Sequence, residues 1–75
     1  MDYNDYLESD AGIMLGKPVI KGTRITVALV LKKLSEGATA NDLITAYPQL
    51  TATAISAVLA YAADVADTET LIAAA

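Results

Sequence analysis

The sequence predicts a mainly α-helical domain, in which a three-helix unit of the helix-turn-helix type follows a short β-strand arm. Two patterns support this prediction. Apolar residues recur at helical spacing in three segments, and each segment begins after a threonine that can cap a helix. The part of the chain before them has β-branched residues punctuated by glycine and proline, which favours short extended pieces. A length of 75 residues leaves room for one domain.

The first element is an acidic N-terminal arm, residues 1–15, with one short strand predicted around Tyr6, Leu7 and Glu8. The helix-turn-helix-like domain is expected to span residues 16–66, and residues 67–75 form a C-terminal tail. In the segment 16–25, we expect short extended pieces joined by a turn at Gly22.

The first predicted helix starts after Thr26. Its inner face has the spacing i, i+3, i+4 and i+7, occupied by Val27, Val30, Leu31 and Leu34. Gly37 stands where a glycine commonly ends a helix.

The second helix is predicted to start after Thr39, with Asp42 completing a variant of the capping box. Its inner face is supplied by Leu43, Ile44 and Tyr47. Pro48 ends it, because proline disfavours helical geometry in the residue before it.

The third helix is predicted to start after Thr51, with Leu50 and Ile55 as a hydrophobic staple. The predicted inner stripe consists of Ile55, Val58, Leu59, Ala62 and Ala66.

Residues 43–63 contain no charge and are long enough to cross a bilayer. Pro48 and several hydroxyl side chains interrupt them, so we interpret them as two helices and a turn rather than a membrane span.

Composition argues for a binding domain rather than an enzyme. The chain has neither cysteine nor histidine, so disulfides and a structural zinc site are not expected, and no cofactor is predicted. The usual general base and a thiol nucleophile are missing too.

The absence of cysteine and the acidic N-terminus fit a cytoplasmic protein. Residues 12–18 superficially resemble a phosphate-binding loop, but the spacing is one residue short and Pro18 replaces the hydroxyl residue.

A hydrophobic fraction of 55% is high for so short a chain, which suggests that part of the apolar surface forms an interface. We therefore expect a homodimer. The predicted interface residues lie on the third helix and in the tail, and they are Tyr61, Val65, Leu71 and Ile72.

Charge is segregated although the net charge is −4. All five basic residues lie in one central segment and are candidates for contact with DNA phosphates: Lys17, Lys21, Arg24, Lys32 and Lys33. The alternative is a solvated rim, with Arg24 bonded to backbone carbonyls. The start of the third helix has Thr51, Ala52, Thr53 and Ser56, and none of these makes a bidentate contact with a base.

Three motifs resemble those of the domain-of-unknown-function 433 family. The most specific is the block from Gly16 to Val27, GKPVIKGTRITV, followed by YPQLT from Tyr47 to Thr51 and LAYA from Leu59 to Ala62. This resemblance implies a homeodomain-like or winged helix-turn-helix fold. It also implies a VapB-type antitoxin that binds a PIN-like ribonuclease toxin and can repress its own operon through DNA.

The chain departs from the family pattern at two places. The start of the third helix is neutral, whereas it is commonly charged in relatives, and the tail has no lysine or arginine. A tail without these residues cannot insert a cation into an acidic active site. It would therefore have to inhibit a toxin by covering the toxin's surface or by displacing its catalytic groups. The remaining alternatives are a DNA-binding regulator without a toxin and a plain dimerisation module.

Overall fold

Three α-helices follow a two-stranded antiparallel sheet in the computed structural model, which describes residues 1–68. The strands are β1 (Leu7–Glu8) and β2 (Val19–Ile20), and the helices are α1 (Val27–Ser35), α2 (Ala40–Ala46) and α3 (Ala52–Thr68). Short 3-10 turns at Tyr3–Asp5 and Met14–Gly16 precede the two strands. The predicted mainly α fold with a preceding strand arm is confirmed.

The sheet joins the arm to the segment that leads into α1. Leu7 pairs with Ile20 and Glu8 pairs with Val19. Beyond β2 the chain turns back, because the amide of Thr23 donates to the Ile20 carbonyl at 3.0 Å and the amide of Ile20 donates to the Ile25 carbonyl at 2.9 Å. The predicted turn at Gly22 is confirmed, with a φ of 75° that glycine adopts without steric cost.

Each helix begins at the threonine that the sequence predicts. The amides of Leu29, Asp42 and Ala54 donate to the hydroxyl oxygens of Thr26, Thr39 and Thr51 at 3.0, 3.1 and 3.0 Å. Around Thr39 the capping box is complete, since its amide donates to the Asp42 carboxylate at 2.8 Å. These bonds satisfy amides that have no partner inside the helix.

The core lies between the sheet and the three helices. Its buried residues come from every one of these elements: Leu7, Val19, Ile20, Ile25, Val27, Val30, Leu43, Leu50, Ala54, Ile55, Ala57 and Val58. Leu50 and Ile55 are both buried, as expected for the predicted staple. Tyr61 and Tyr3 are partly buried against the same cluster.

The predicted inner stripe of α3 is wrong in part. Leu59 is 49% exposed and Ala66 is exposed, whereas Ala54 and Ala57 are buried. Successive residues are about 100° apart around a helix, so the buried face is rotated by nearly one residue from the predicted one. The physical reason is close packing, because the small alanine side chains let α3 approach the sheet and its neighbouring helices.

The uncharged stretch 43–63 is divided between α2 and α3 by the turn at Tyr47–Leu50, where the Leu50 amide donates to the Tyr47 carbonyl at 2.9 Å. Within residues 1–68, none of the helices combines the length and apolarity that crossing a membrane requires.

Candidate interaction surfaces

The five basic residues lie on three separate elements. Lys17 follows the Met14–Gly16 turn, Lys21 and Arg24 flank the turn at Gly22, and Lys32 and Lys33 occupy the last turn of α1. Lys33 is half-buried and the other four are exposed.

The structure brings Lys21 and Arg24 to one turn, which the bond from Thr23 to Ile20 closes. Lys32 and Lys33 are at the opposite end of α1, about 7.5 and 9 Å along the helix axis from Val27. Cations in the last turn of a helix also interact favourably with its dipole, so these two lysines have a structural role in addition to any contact with phosphate.

The start of α3 presents a neutral surface. Thr51, Ala52, Thr53 and Ser56 are all exposed, and the hydroxyl of Thr51 is used by the helix cap. In a helix-turn-helix protein, these early positions of the second helix of the motif would face base edges. Here they offer only short hydroxyl side chains.

The arm is attached to α3 through a tyrosine that the sequence patterns did not single out. The Tyr3 hydroxyl donates to the Asp64 carboxylate at 2.7 Å. The rings of Tyr3 and Tyr61 meet edge to face, with centroids 5.5 Å apart and planes at 85°. The hydrogen bond to the negatively charged Asp64 raises the pKa of Tyr3, and partial desolvation acts in the same direction. Tyr61, a predicted interface residue, is therefore half-covered by its own chain.

Beside this contact is a cavity of about 160 Å³, which we call the arm cavity. Most of its wall is apolar or aromatic, and its lining residues are Tyr3, Asn4, Leu7, Glu8, Ser9, Pro18 and Tyr61. The cavity thus lies where the arm, the start of β2 and the middle of α3 meet.

A second unpredicted feature is the turn at Met14–Gly16, whose three residues have left-handed φ angles of 49°, 58° and 81°. Left-handed backbone costs a residue with a Cβ about 1–2 kcal/mol, so Met14 and Leu15 are both strained. Neither is compensated by complete burial, since Met14 is 43% exposed and Leu15 is 93% exposed. Only the short apolar run between Gly12 and Gly16, without helical spacing, could have drawn attention to it.

Of the other predicted interface residues, Val65 is half-buried on α3. Leu71 and Ile72 lie outside the described residues. Leu59, which was predicted to lie on the inner stripe, is instead an exposed apolar side chain of α3.

In the described part of the chain, no three acidic side chains cluster closely enough to hold a metal ion.

The fold and these surfaces define a small, mainly helical domain with a strand arm and exposed apolar side chains. A family model described as "Protein of unknown function (DUF433)" matches residues 7–62, and the chain belongs to this family. No curated protein matched the chain.

A similar solved structure is the crystal structure of a DUF433 member protein from Anabaena variabilis ATCC 29413. The two chains are 30% identical, and their structures agree with a TM-score of 0.76. The match covers 81% of the present chain and 60% of the other, so this chain spans about three fifths of the length of that protein.

Proposed function

We propose that this protein is the antitoxin of a type II toxin–antitoxin system and that it neutralises a PIN-like ribonuclease by binding it directly. The observation that carries the proposal is the exposure of large apolar side chains on a small domain, above all Leu59 on α3. Apolar side chains left in water by the fold favour contact with another protein. The block from Gly16 to Val27 resembles the DUF433 family, and the VapB-type antitoxin that this resemblance implies supports the choice of a ribonuclease as partner.

Leu59 is the side chain of α3 best placed for such a contact. It is 49% exposed on the outer side of the helix, whereas its neighbours Ala57 and Val58 are fully buried. Ser56, one turn before Leu59, is exposed and offers a hydroxyl at the edge of the apolar surface. An apolar centre with a polar rim is the usual composition of a protein–protein interface.

The test is co-expression with a PIN-like ribonuclease encoded in the adjacent reading frame. We expect the wild-type chain to restore growth of the host and to co-purify with the ribonuclease. Leu59→Glu should abolish both effects, because it places a charge at the centre of the interface. Thr53→Glu, which introduces the same charge at an exposed position of the same helix, is the matched control and should retain binding. Failure of the wild-type chain to bind or to rescue growth would contradict the proposal.

We also propose that operator DNA is a second ligand, contacted through the basic segment rather than through α3. Four of the five cations are exposed, which favours phosphate contact, while the exposed residues at the start of α3 offer no bidentate partner for a base. Operator binding without any effect on the ribonuclease would favour the alternative of a regulator without a toxin. Self-association alone would favour a plain dimerisation module.

A further inference from the structure

We infer that the domain self-associates by reciprocal insertion of Leu15, in which Leu15 of each copy occupies the arm cavity of a second copy. This inference concerns an interaction of the chain with itself, and it does not depend on the ribonuclease or on DNA. Three observations carry it: the presentation of Leu15, the size and lining of the arm cavity, and the position of these two features beside each other.

Leu15 is exposed on a turn that two backbone hydrogen bonds close. Its turn is closed by the amide of Gly16, which donates to the Ile13 carbonyl at 3.0 Å, and by the amide of Lys17, which donates to the Met14 carbonyl at 3.2 Å. The backbone is strained at Leu15, and the side chain remains 93% exposed. Strain of this kind persists where the surrounding structure enforces it, and it is concentrated at binding sites. Within its own chain, Leu15 gains almost no burial in return.

The arm cavity fits a leucine side chain. Its volume is about 160 Å³, and Leu7, Pro18 and the two tyrosine rings form an apolar wall. An apolar cavity of about 150 Å³ accommodates benzene, so the four carbons of a leucine side chain have enough room. The polar lining residues Asn4, Glu8 and Ser9 would form the rim of the contact.

The cavity and the Leu15 turn adjoin one another. Ser9 lines the cavity, and its hydroxyl donates to the carbonyl of Gly16 at 3.1 Å. Pro18, also in the lining, follows Leu15 by three residues. A surface with a protruding group beside a matching cavity is self-complementary, because a two-fold axis brings each group to the cavity of the other copy.

Charge complementarity points the same way. Lys17, which is exposed, follows the protruding Leu15, and Glu8 lies in the lining of the cavity. Insertion would bring Lys17 of one copy to the cavity that Glu8 of the other copy lines. The two-fold axis repeats this pair of opposite charges, so it occurs twice in each dimer. Tyr61, which the sequence nominates for a dimer interface, also lines the cavity.

The experiment is sedimentation equilibrium of the full chain, with Leu15→Asn and Leu15→Gly compared against Leu59→Ala. Asparagine keeps the approximate size of leucine and tolerates left-handed backbone, and glycine removes the strain. Both Leu15 variants should weaken the dimer at least about tenfold, since each dimer loses two buried leucines. Unfolding by urea, followed at a concentration where the chain is monomeric, should show that both variants are at least as stable as the wild type, because each relieves the left-handed strain at an exposed residue. Leu59→Ala should leave the dimer unchanged.

A second measurement identifies the contact directly. In a mixture of two differently labelled samples, nuclear Overhauser effects between chains should connect the Leu15 methyl groups with the rings of Tyr3 or Tyr61. Three results would each overturn the inference: a wild-type chain that is monomeric at several hundred micromolar, a dimer that Leu59→Ala dissociates but Leu15→Asn does not, and Leu15 variants whose monomers lose stability.

Discussion

The hydroxyl of Tyr3 donates a 2.7 Å hydrogen bond to the carboxylate of Asp64, which lies 61 residues further along the chain. This bond and the edge-to-face contact of Tyr3 with Tyr61 attach the first turn of the arm to the C-terminal half of α3. They also form one side of the arm cavity, because both tyrosines line it. The position of the arm is therefore set by contacts with α3 as well as by its pairing with β2.

Tyr3→Phe should make the free energy of unfolding less dependent on pH in the alkaline range. The pKa of Tyr3 is raised above its ordinary value of 10.0 by the hydrogen bond to Asp64. The bond therefore stabilises the folded chain below about pH 10, and its contribution is lost as the pH rises through the raised pKa. Urea unfolding between pH 7 and 11 should show a smaller decline for the variant than for the wild type. Tyr6→Phe, which removes a hydroxyl elsewhere on the arm, is the control, and equal behaviour of both variants would contradict the prediction.

Asp42→Asn should make the free energy of unfolding less dependent on pH in the acidic range. The pKa of Asp42 is lowered from 3.8 by hydrogen bonds from the backbone and then from the side chain of Thr39. Its contribution is thus present above about pH 4 and is lost as the pH falls through the lowered pKa. Unfolding measured from pH 7 to pH 2 should show a flatter profile for Asp42→Asn, while Asp67→Asn at the exposed end of α3 should follow the wild type.

Thr39→Ala should lower the free energy of unfolding by about 1 kcal/mol at neutral pH through loss of the cap.

Leu50→Ala should lower the free energy of unfolding by about 2–5 kcal/mol, because Leu50 is 2% exposed and truncation leaves a cavity in the core. Leu59→Ala removes the same atoms from a side chain that is half exposed, and it should cost less than about 1 kcal/mol. Urea titration of both variants measures the difference. Similar losses at the two positions would mean that α3 packs through a different face.

If the chain binds DNA, affinity should come from the basic segment. The slope of log affinity against log salt is about −0.9 for each phosphate neutralised. Replacing Lys32 and Lys33, or Lys21 and Arg24, by alanine should flatten this slope and weaken operator and scrambled DNA alike. Replacing Thr53 and Ser56 by alanine should change little. Salt titrations would contradict this prediction if the α3 variant lost operator preference while the basic variants kept the wild-type slope.

Local patterns predicted the secondary structure well. The caps at Thr26, Thr39 and Thr51 and the turn at Gly22 depend on neighbours within a few residues, so the relevant atoms are close in sequence. The inner face of α3 was predicted less well. Hydropathy ranks Leu59 above Ala54, but the distance between packed elements decides which of them fits, and that distance is a property of the assembled fold.

The sequence by itself determined the helices and the strand arm, the segregation of charge and the family, because each of these follows from side-chain identity or short-range spacing. Only the tertiary structure decided that Tyr3 would meet Asp64, that the arm and α3 would together line an open cavity and that Leu15 would be exposed beside it. These three features join residues that are distant along the chain or depend on a strained backbone. Such relationships arise from the packing of whole elements, which local spacing does not encode.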